Sequence, residues 1–352
     1  FSYTGRLQLA WCHRELGQVD EMARWQAEAA RRTSIPDIEQ ASNDACAALL
    51  EGDLARAETL TERMEDLRPF AKQTFVWVPP LRQAIGDVRG APRDLRKLDA
   101  AVRRSEGVAR FRLDAVLGRL LARAGQQRRA GELLADAADR GFESHYAPHW
   151  STTIGSCWAE VAVLCSDVAA GGVIARWFEP LAHQFVDNGV AVTDTVDRVR
   201  ALALLAAGDT AGALAVGADA VRRSRIRRTP ILLGRELVVL AAARQRSELS
   251  VADEIDEATV IAERTGARVI DHDIRLFVGR PPSDLSGLTA REREVMEHVR
   301  YGATNDQIAR ALSISAATVR THLEHVFAKL DVSTRTAAVA RLTEGAARTP
   351  PG

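Results

Sequence analysis

LTAREREVMEHVRYGATNDQIARALSISAATVRTHLEHVFAKLDVSTRTAAV, residues 288–339, decides the reading of this chain. Thr289 stands before an apolar-periodic run with Glu292 three residues on, a reciprocal capping pair that opens a helix. Leu288 is placed to pack on that helix as a hydrophobic staple. Val295, Met296 and Val299 fall on one face at helical spacing, and Gly302 supplies a C-cap. Thr304 and Gln307 repeat the capping pair and open a second helix with Ile308, Ala309 and Leu312 inward. After the short turn Ser313-Ile314, Ser315 is a third N-cap. Its helix runs to Leu330, with Val319, Leu323, Val326 and Leu330 inward at spacings of four, three and four. Ser333 or Thr334 opens a fourth helix carrying Ala337, Val339, Ala340 and Leu342. The expectation is four short helices around one small apolar core.

The outward face of the third helix separates this bundle from an inert one. Arg320, Thr321 and Glu324 project away from the core, and Ala316, Ala317 and Thr318 form the first turn. A helix, a tight turn and a second helix with such a face can lay the start of the second helix against base edges in a DNA groove. There Arg320 can hold guanine O6 and N7 together, Thr321 can meet a base or a thymine methyl, and Glu324 can accept from cytosine N4. Thr304, Asn305, Ser315, Thr318, His322, His325 and Lys329 are candidates for contacts to the DNA backbone, which position without specifying.

The run resembles the LuxR/GerE-type helix-turn-helix domain. The resemblance is carried by Leu288, Thr289, Arg291, Glu292, Gly302, Thr304, Asn305, Ile308, Ala309, Leu312, Ile314, Ser315, Thr318, Val319, Arg320, His322, Lys329, Leu330, Val332 and Arg335. It implies DNA binding, dimerisation through the fourth helix, and structural roles for Glu292 and Arg335 in bracing the first helix against the fourth. Two positions depart from the family: Arg320 stands where Lys is frequent, a change toward bidentate recognition, and Glu324 stands where several members are basic. Residues 286–352 hold nine Arg/Lys and seven Asp/Glu, so charge alone favours DNA weakly and a single copy should bind poorly. The competing reading is a small bundle used as a protein-binding module.

The first 279 residues read as a different object. Gly17, Gly52, Gly90, Gly125, Gly172 and Gly208 each follow one apolar helical run and precede another, at spacings of 35, 38, 35, 47 and 36. Periods of this size point to stacked repeats. Ala57, Ala130 and Ala213 stand five residues after their Gly, where a small side chain lets two helices of a hairpin approach. A seventh pair fits Pro230–Ser247 with Ser250–Gly266. The pattern resembles degenerate tetratricopeptide repeats; an irregular all-helical domain is the alternative. Either way the chain reads as all-α, because period-two runs are few and the β-branched cluster at residues 74–78 is interrupted by Pro79-Pro80.

The domain plan is therefore a helical-repeat region over 1–279, a linker over 280–287 marked by Pro281-Pro282 and Ser/Gly, the helix-turn-helix domain over 288–343 and a tail over 344–352. Basic and acidic residues balance at 47 each, which excludes a globally polyanion-seeking protein. Cys12, Cys46, Cys157 and Cys165 form no C-x-x-C motif and read as reduced core thiols. Phe at position 1 points to a piece of a longer chain. No phosphate-cradling loop, H-E-x-x-H or G-x-S-x-G occurs, and His145 and His149 are separated by Pro148, so neither enzyme activity nor a metal is expected. The run Arg222, Arg223, Arg225, Arg227 and Arg228 reads as a solvated helix end rather than a phosphate contact, and the Trp residues as packing.

Joined together, these parts resemble the C-terminal half of the large ATP-binding regulators of the LuxR/MalT-like class. The resemblance implies a bacterial, cytoplasmic, nucleoid-associated transcription regulator whose repeats sense a signal or oligomerise. It implies double-stranded DNA as partner, a homodimer on DNA, RNA polymerase or an inducer as further partners, and no membrane. It implies no cofactor in this chain, with ATP held by a domain ahead of it. The alternative, from another class, is a helical-repeat scaffold with the terminal bundle as one more protein-binding surface.

Overall fold

The computed structural model describes residues 12–13, 16–30, 37–66, 74–91, 94–142, 148–188, 191–279, 289–300, 303–312, 314–330, 332, 334–335 and 338. The chain divides into two compact units, Phe1–Val278 and Gly279–Gly352. The residues expected to form the linker, 280–287, lie outside the described set.

The first unit is a succession of antiparallel helices: α1 Val19–Ala30, α2 Asp37–Glu51, α3 Leu54–Asp66, α4 Thr74–Val88, α5 Leu95–Arg103, α6 Gly107–Arg123, α7 Gln127–Asp139, α8 Pro148–Cys165 and α9 Val168–Phe178. A hairpin follows, β1 Phe185–Asp187 and β2 Val192–Thr195, and then α10 Val196–Ala206, α11 Thr210–Arg227, α12 Pro230–Arg246, α13 Ala252–Thr265 and α14 Arg268–Asp273. A π-helical turn, Ile274–Val278, closes the unit. Along most of the array each helix packs on the next. Alternate helices also touch, as α6 touches α8, α8 touches α10 and α10 touches α12, which is how stacked hairpins build one continuous core.

The turns show why glycine recurs. At Gly52 the backbone is left-handed, with φ +81°. Its N–H donates to the Leu49 carbonyl at 3.2 Å and the Asp53 N–H to the Ala48 carbonyl at 2.9 Å, the hydrogen-bond pair of a Schellman stop. The Asp53 carboxylate then accepts from the Arg56 N–H at 3.0 Å and starts the next helix. Gly208 and Asp209 repeat the device, with Asp209 accepting from the Gly212 N–H at 2.8 Å. Ala57, Ala130 and Ala213 are fully buried at the hairpin contacts. Gly172 does not act as expected: it lies inside α9. The left-handed residue of that turn is Ser166, and Asp167 caps α9 on the Ala170 N–H at 2.9 Å. A polar residue at this position bears the modest strain that Gly would avoid.

The hairpin is the one departure from helix among the described residues. It is antiparallel, pairing Phe185 with Thr195 and Val186 with Asp194, with an irregularity between Val186 and Asp187. Its insertion between α9 and α10 interrupts the repeat. The ends of the unit also meet: α12 packs against α2, and α14 against α4. Met22, Leu50, Phe185, Val192 and Leu232 form a small core where the first hairpin, the β-hairpin and α12 come together. Trp158 is fully buried and Trp177 lies edge-on to Phe178, both as packing. Cys46 and Cys157 are core thiols as expected, but Cys12 is exposed and Cys165 half-buried.

Within this unit runs a buried ionic cluster with no counterpart in the sequence reading. Arg198, wholly buried, donates to Asp194 at 2.6 Å and to Asp273 at 2.9 Å. Arg235 reaches Asp273 at 2.9 Å, Glu160 at 3.0 Å and Asp194 at 3.2 Å. Arg123 bridges Glu160 at 2.6 Å and Asp273 at 2.5 Å. Burial alone would raise the carboxyls, but the arginines reverse it: Asp273 is held at about 2, and Glu160 well below the usual carboxylate range. The cluster ties α6, α8, β2, α10, α12 and α14 together through side chains.

Candidate nucleic-acid interface

The second unit contains α15 Ala290–Arg300, α16 Asn305–Leu312 and α17 Ala316–Leu330. Both capping boxes form. The Glu292 N–H donates to Thr289 Oγ1 at 3.2 Å while the Thr289 N–H donates to Glu292 Oε2 at 2.7 Å. The Thr304 N–H donates to Gln307 Oε1 at 2.7 Å and the Gln307 N–H returns to Thr304 Oγ1 at 3.4 Å. Ser315 caps α17, its Oγ accepting from the Thr318 N–H at 3.0 Å.

The core is Val295, Met296, Val299, Ile308, Ala309, Val319, Leu323, Val326 and Ala338, with Leu312 and Ile314 packed at its edge. Of the expected fourth helix, the Ala338 N–H donates to the Thr334 carbonyl at 3.0 Å, one helical turn. Ala337, Val339, Ala340 and Leu342 lie outside the described residues, as do Gly302, Ser313, Ser333 and the side chain of Leu330. Arg291, one of the residues that carry the resemblance, donates to the last carbonyl of α16, that of Leu312, at 2.6 Å. It thereby ties α15 to the end of α16.

Glu292 and Arg335 are engaged inside the domain, each with a partner on a different helix from the one the resemblance implies. Glu292 accepts from Lys329 Nζ near the end of α17 at 2.7 Å. Burial would raise its carboxyl, but the Lys329 ammonium and the Thr289 N–H outweigh that and hold it below its ordinary value. Arg335 donates to Asn305 Oδ1 at 3.1 Å and to the Ala303 carbonyl, so it braces the start of α16.

This sorts the candidate DNA contacts by what their side chains are already doing. Lys329 and Asn305 hold the bundle together. Thr304, Ser315 and Thr318 are exposed cap residues at the starts of α16 and α17. His322 is half-buried and His325 exposed. Arg320, Thr321 and Glu324 share the exposed side of α17, opposite the buried Val319, Leu323 and Val326. Thr321 Oγ1 donates back to the Ala317 carbonyl at 3.3 Å. Among the described residues nothing pairs with Arg320 or Glu324. The geometry is that of a trihelical core presenting a guanidinium and a carboxylate, both unpaired among the described residues, from the second and third turns of its third helix.

That arrangement defines a helix-turn-helix domain. Residues 286–342 match the GerE family, the bacterial regulatory proteins of the luxR family, so the chain carries a LuxR-family helix-turn-helix domain at this end. Among curated proteins, the monoamine regulon transcriptional regulator of Klebsiella aerogenes is 56% identical over 54 residues, 15% of this chain and 24% of that protein. The CsgBAC operon transcriptional regulatory protein of Escherichia coli (strain K12) is 52% identical over 52 residues, 15% of this chain and 24% of that protein. A Mycobacterium tuberculosis protein (strain ATCC 25618 / H37Rv), named as an HTH-type transcriptional regulator, is 45% identical over 56 residues, 16% of this chain and 6% of that protein. The chain thus spans about a quarter of the first two and far less of the third. No solved structure matches the chain.

Proposed function

We propose that the chain is part of a sequence-specific, DNA-binding transcription regulator of the bacterial cytoplasm, with α17 in the major groove and Arg320, Thr321 and Glu324 toward base edges. The observation that carries the reading is Arg320: exposed, unpaired among the described residues, and set on the first turns of a helix whose opposite side is locked into the core. Thr304, Ser315, Thr318, His322 and His325 supply contacts to the DNA backbone, and the free N–H groups at the start of α17 favour a phosphate. The narrow charge surplus of this end of the chain argues for a homodimer on two half-sites. The helical array takes the sensing or assembly role, with an inducer or RNA polymerase as partner. The Mycobacterium tuberculosis relative, of which the match covers 6%, is itself a much longer protein; in the proposed class any ATP would be bound outside this chain.

A fluorescence-anisotropy titration of the full chain against double-stranded DNA over a range of salt tests this reading. A log–log slope of magnitude ~5 or more, with a preferred sequence bound ~10³-fold or more above random duplex, supports it. Affinity that is flat in salt, or equal for all sequences, favours the protein-binding scaffold instead.

A further inference from the structure

A second polar cluster lies in the helical array, away from the buried ionic one. His183 follows the 3-10 turn Glu179–Leu181, Asp197 sits in the first turn of α10, and Asp219 projects from α11. His183 Nδ1 is 3.1 Å from Asp197 Oδ2 and 3.8 Å from Asp219 Oδ2. The three ligand atoms lie within 4.8 Å of one another. Around a tetrahedral ion with ligand bonds of about 2.0–2.2 Å, neighbouring donors stand ~3.4 Å apart, so little movement is needed to close this set on a metal.

We propose that His183, Asp197 and Asp219 form a site for one divalent transition-metal ion of the zinc type, for which Arg223 is the competitor. One imidazole and two carboxylates suit a borderline cation better than a hard one held by oxygen alone or a soft one held by thiolates. The site is held in shape before any ion arrives. The His183 backbone is left-handed, at φ +71°. Its N–H donates to Asp197 Oδ1 at 3.1 Å, and its carbonyl accepts from Arg227 Nη2 at 2.7 Å. Arg227 in turn lies over the Phe185 ring, 5.0 Å from its centre. Asp197 is buried and fixed, while His183 is half-exposed and leaves a path for the ion and for water ligands.

The arginines nearby set the terms of binding. Arg223 Nε donates to Asp219 Oδ2 at 2.7 Å, and its Nη2 lies 3.4 Å from His183 Nε2. Arg222 takes Asp219 Oδ1. Both side chains are on the surface, where such pairs are held weakly and can swing into water. Coordination uses the Nδ1 lone pair, so the ring proton must sit on Nε2, and the adjoining guanidinium must leave. Metal and Arg223 therefore exclude each other. The inference uses only the first unit and stands apart from the DNA-binding reading.

The test is calorimetric titration of the full chain, first stripped with chelator, using zinc chloride alone. Wild type should take one ion whose heat disappears in His183→Gln and Asp219→Asn, both partly solvent-facing positions, with helical content unchanged by circular dichroism. Arg223→Ala should bind ~5-fold tighter, because the surface ion pair with Asp219 no longer has to be broken first. Exposed Cys12 and His325 and half-buried His13 can also collect zinc, and the site variants separate that binding from this. No zinc uptake by wild type, uptake retained in both site variants, or an Arg223→Ala affinity no tighter than wild type would each overturn the proposal.

Discussion

At the scale of single residues, the second unit separates side chains that hold the fold from those left for a partner. Lys329 looks like a phosphate contact in sequence, yet its ammonium sits on the buried Glu292. Removing it leaves a carboxylate inside the bundle without its cation. Lys329→Ala should therefore lower the stability of the isolated domain by ~1–3 kcal/mol in chemical denaturation and leave the salt slope of DNA binding within error. A reduced slope with full stability would return Lys329 to the phosphate contacts. Glu236, in α12, makes the opposite case. Burial pushes its carboxyl up to about 7 against the Thr195 and Ser224 hydroxyls, with Asp194 and Asp197 adding repulsion. A raised carboxyl favours the fold while protonated, so its contribution is present below pH ~4.5 and is lost as pH rises through 7. Glu236→Gln keeps an acceptor for Thr195 Oγ1, 2.6 Å away, without the charge. It should stabilise the first unit by about 3 kcal/mol at pH 8 relative to wild type, and by little at pH 4.5. Equal denaturation midpoints at pH 8 would show that Glu236 is not forced to ionise inside the fold.

At the scale of elements, legibility follows how local the determining interaction is. The capping boxes at Thr289 and Thr304, the Ser315 cap and the inward spacing Val319, Leu323, Val326 are settled within four residues of chain, and the structure places them as read. The same holds for the Gly-Asp turns at Gly52 and Gly208. Gly172 is no turn: the close packing belongs to its neighbour Gly171, where a Cβ would meet Ala206 and the Ala207 backbone, while a Cβ at Gly172 would be tolerated. The β-hairpin is signalled by Asn188-Gly189 between two short apolar runs, a turn pair that belongs to no helical period. Because α17 is held by so few residues, one buried charge should undo it. Val326→Asp should abolish the cooperative melt of the isolated terminal domain, whose stability is a few kcal/mol, while the array keeps its helicity. An unchanged melt would mean that the inward face is misassigned.

At the scale of the whole molecule, the features hardest to read were those created by closure. Arg119, Arg123, Arg198 and Arg235 carry no motif in the sequence, and charged residues are seldom buried unless paired. Arg198 meets Asp194 four residues away, but Arg123 and Arg235 reach Glu160 and Asp273 only once α6, α8, α12 and α14 are stacked, across up to 150 residues of sequence. Such a cluster adds little net stability over apolar packing, but breaking it is costly. Asp273→Ala leaves Arg123, Arg198 and Arg235 short of a shared carboxylate. It should destabilise the first unit by ~3–5 kcal/mol, read as a lower denaturation midpoint of the array transition alone. An unshifted midpoint would show that the cluster does not hold α6, α10 and α12 to α14.

In the proposed function the exposed side of α17 reads bases. Selection of preferred sites from randomised duplex by the full chain and by Arg320→Ala, at one salt concentration, tests it. The variant should keep its fold, lose ~1–3 kcal/mol at the wild-type site and lose preference at one base pair of each half-site. The same selected sequence, with the same base preference at every position, would contradict it.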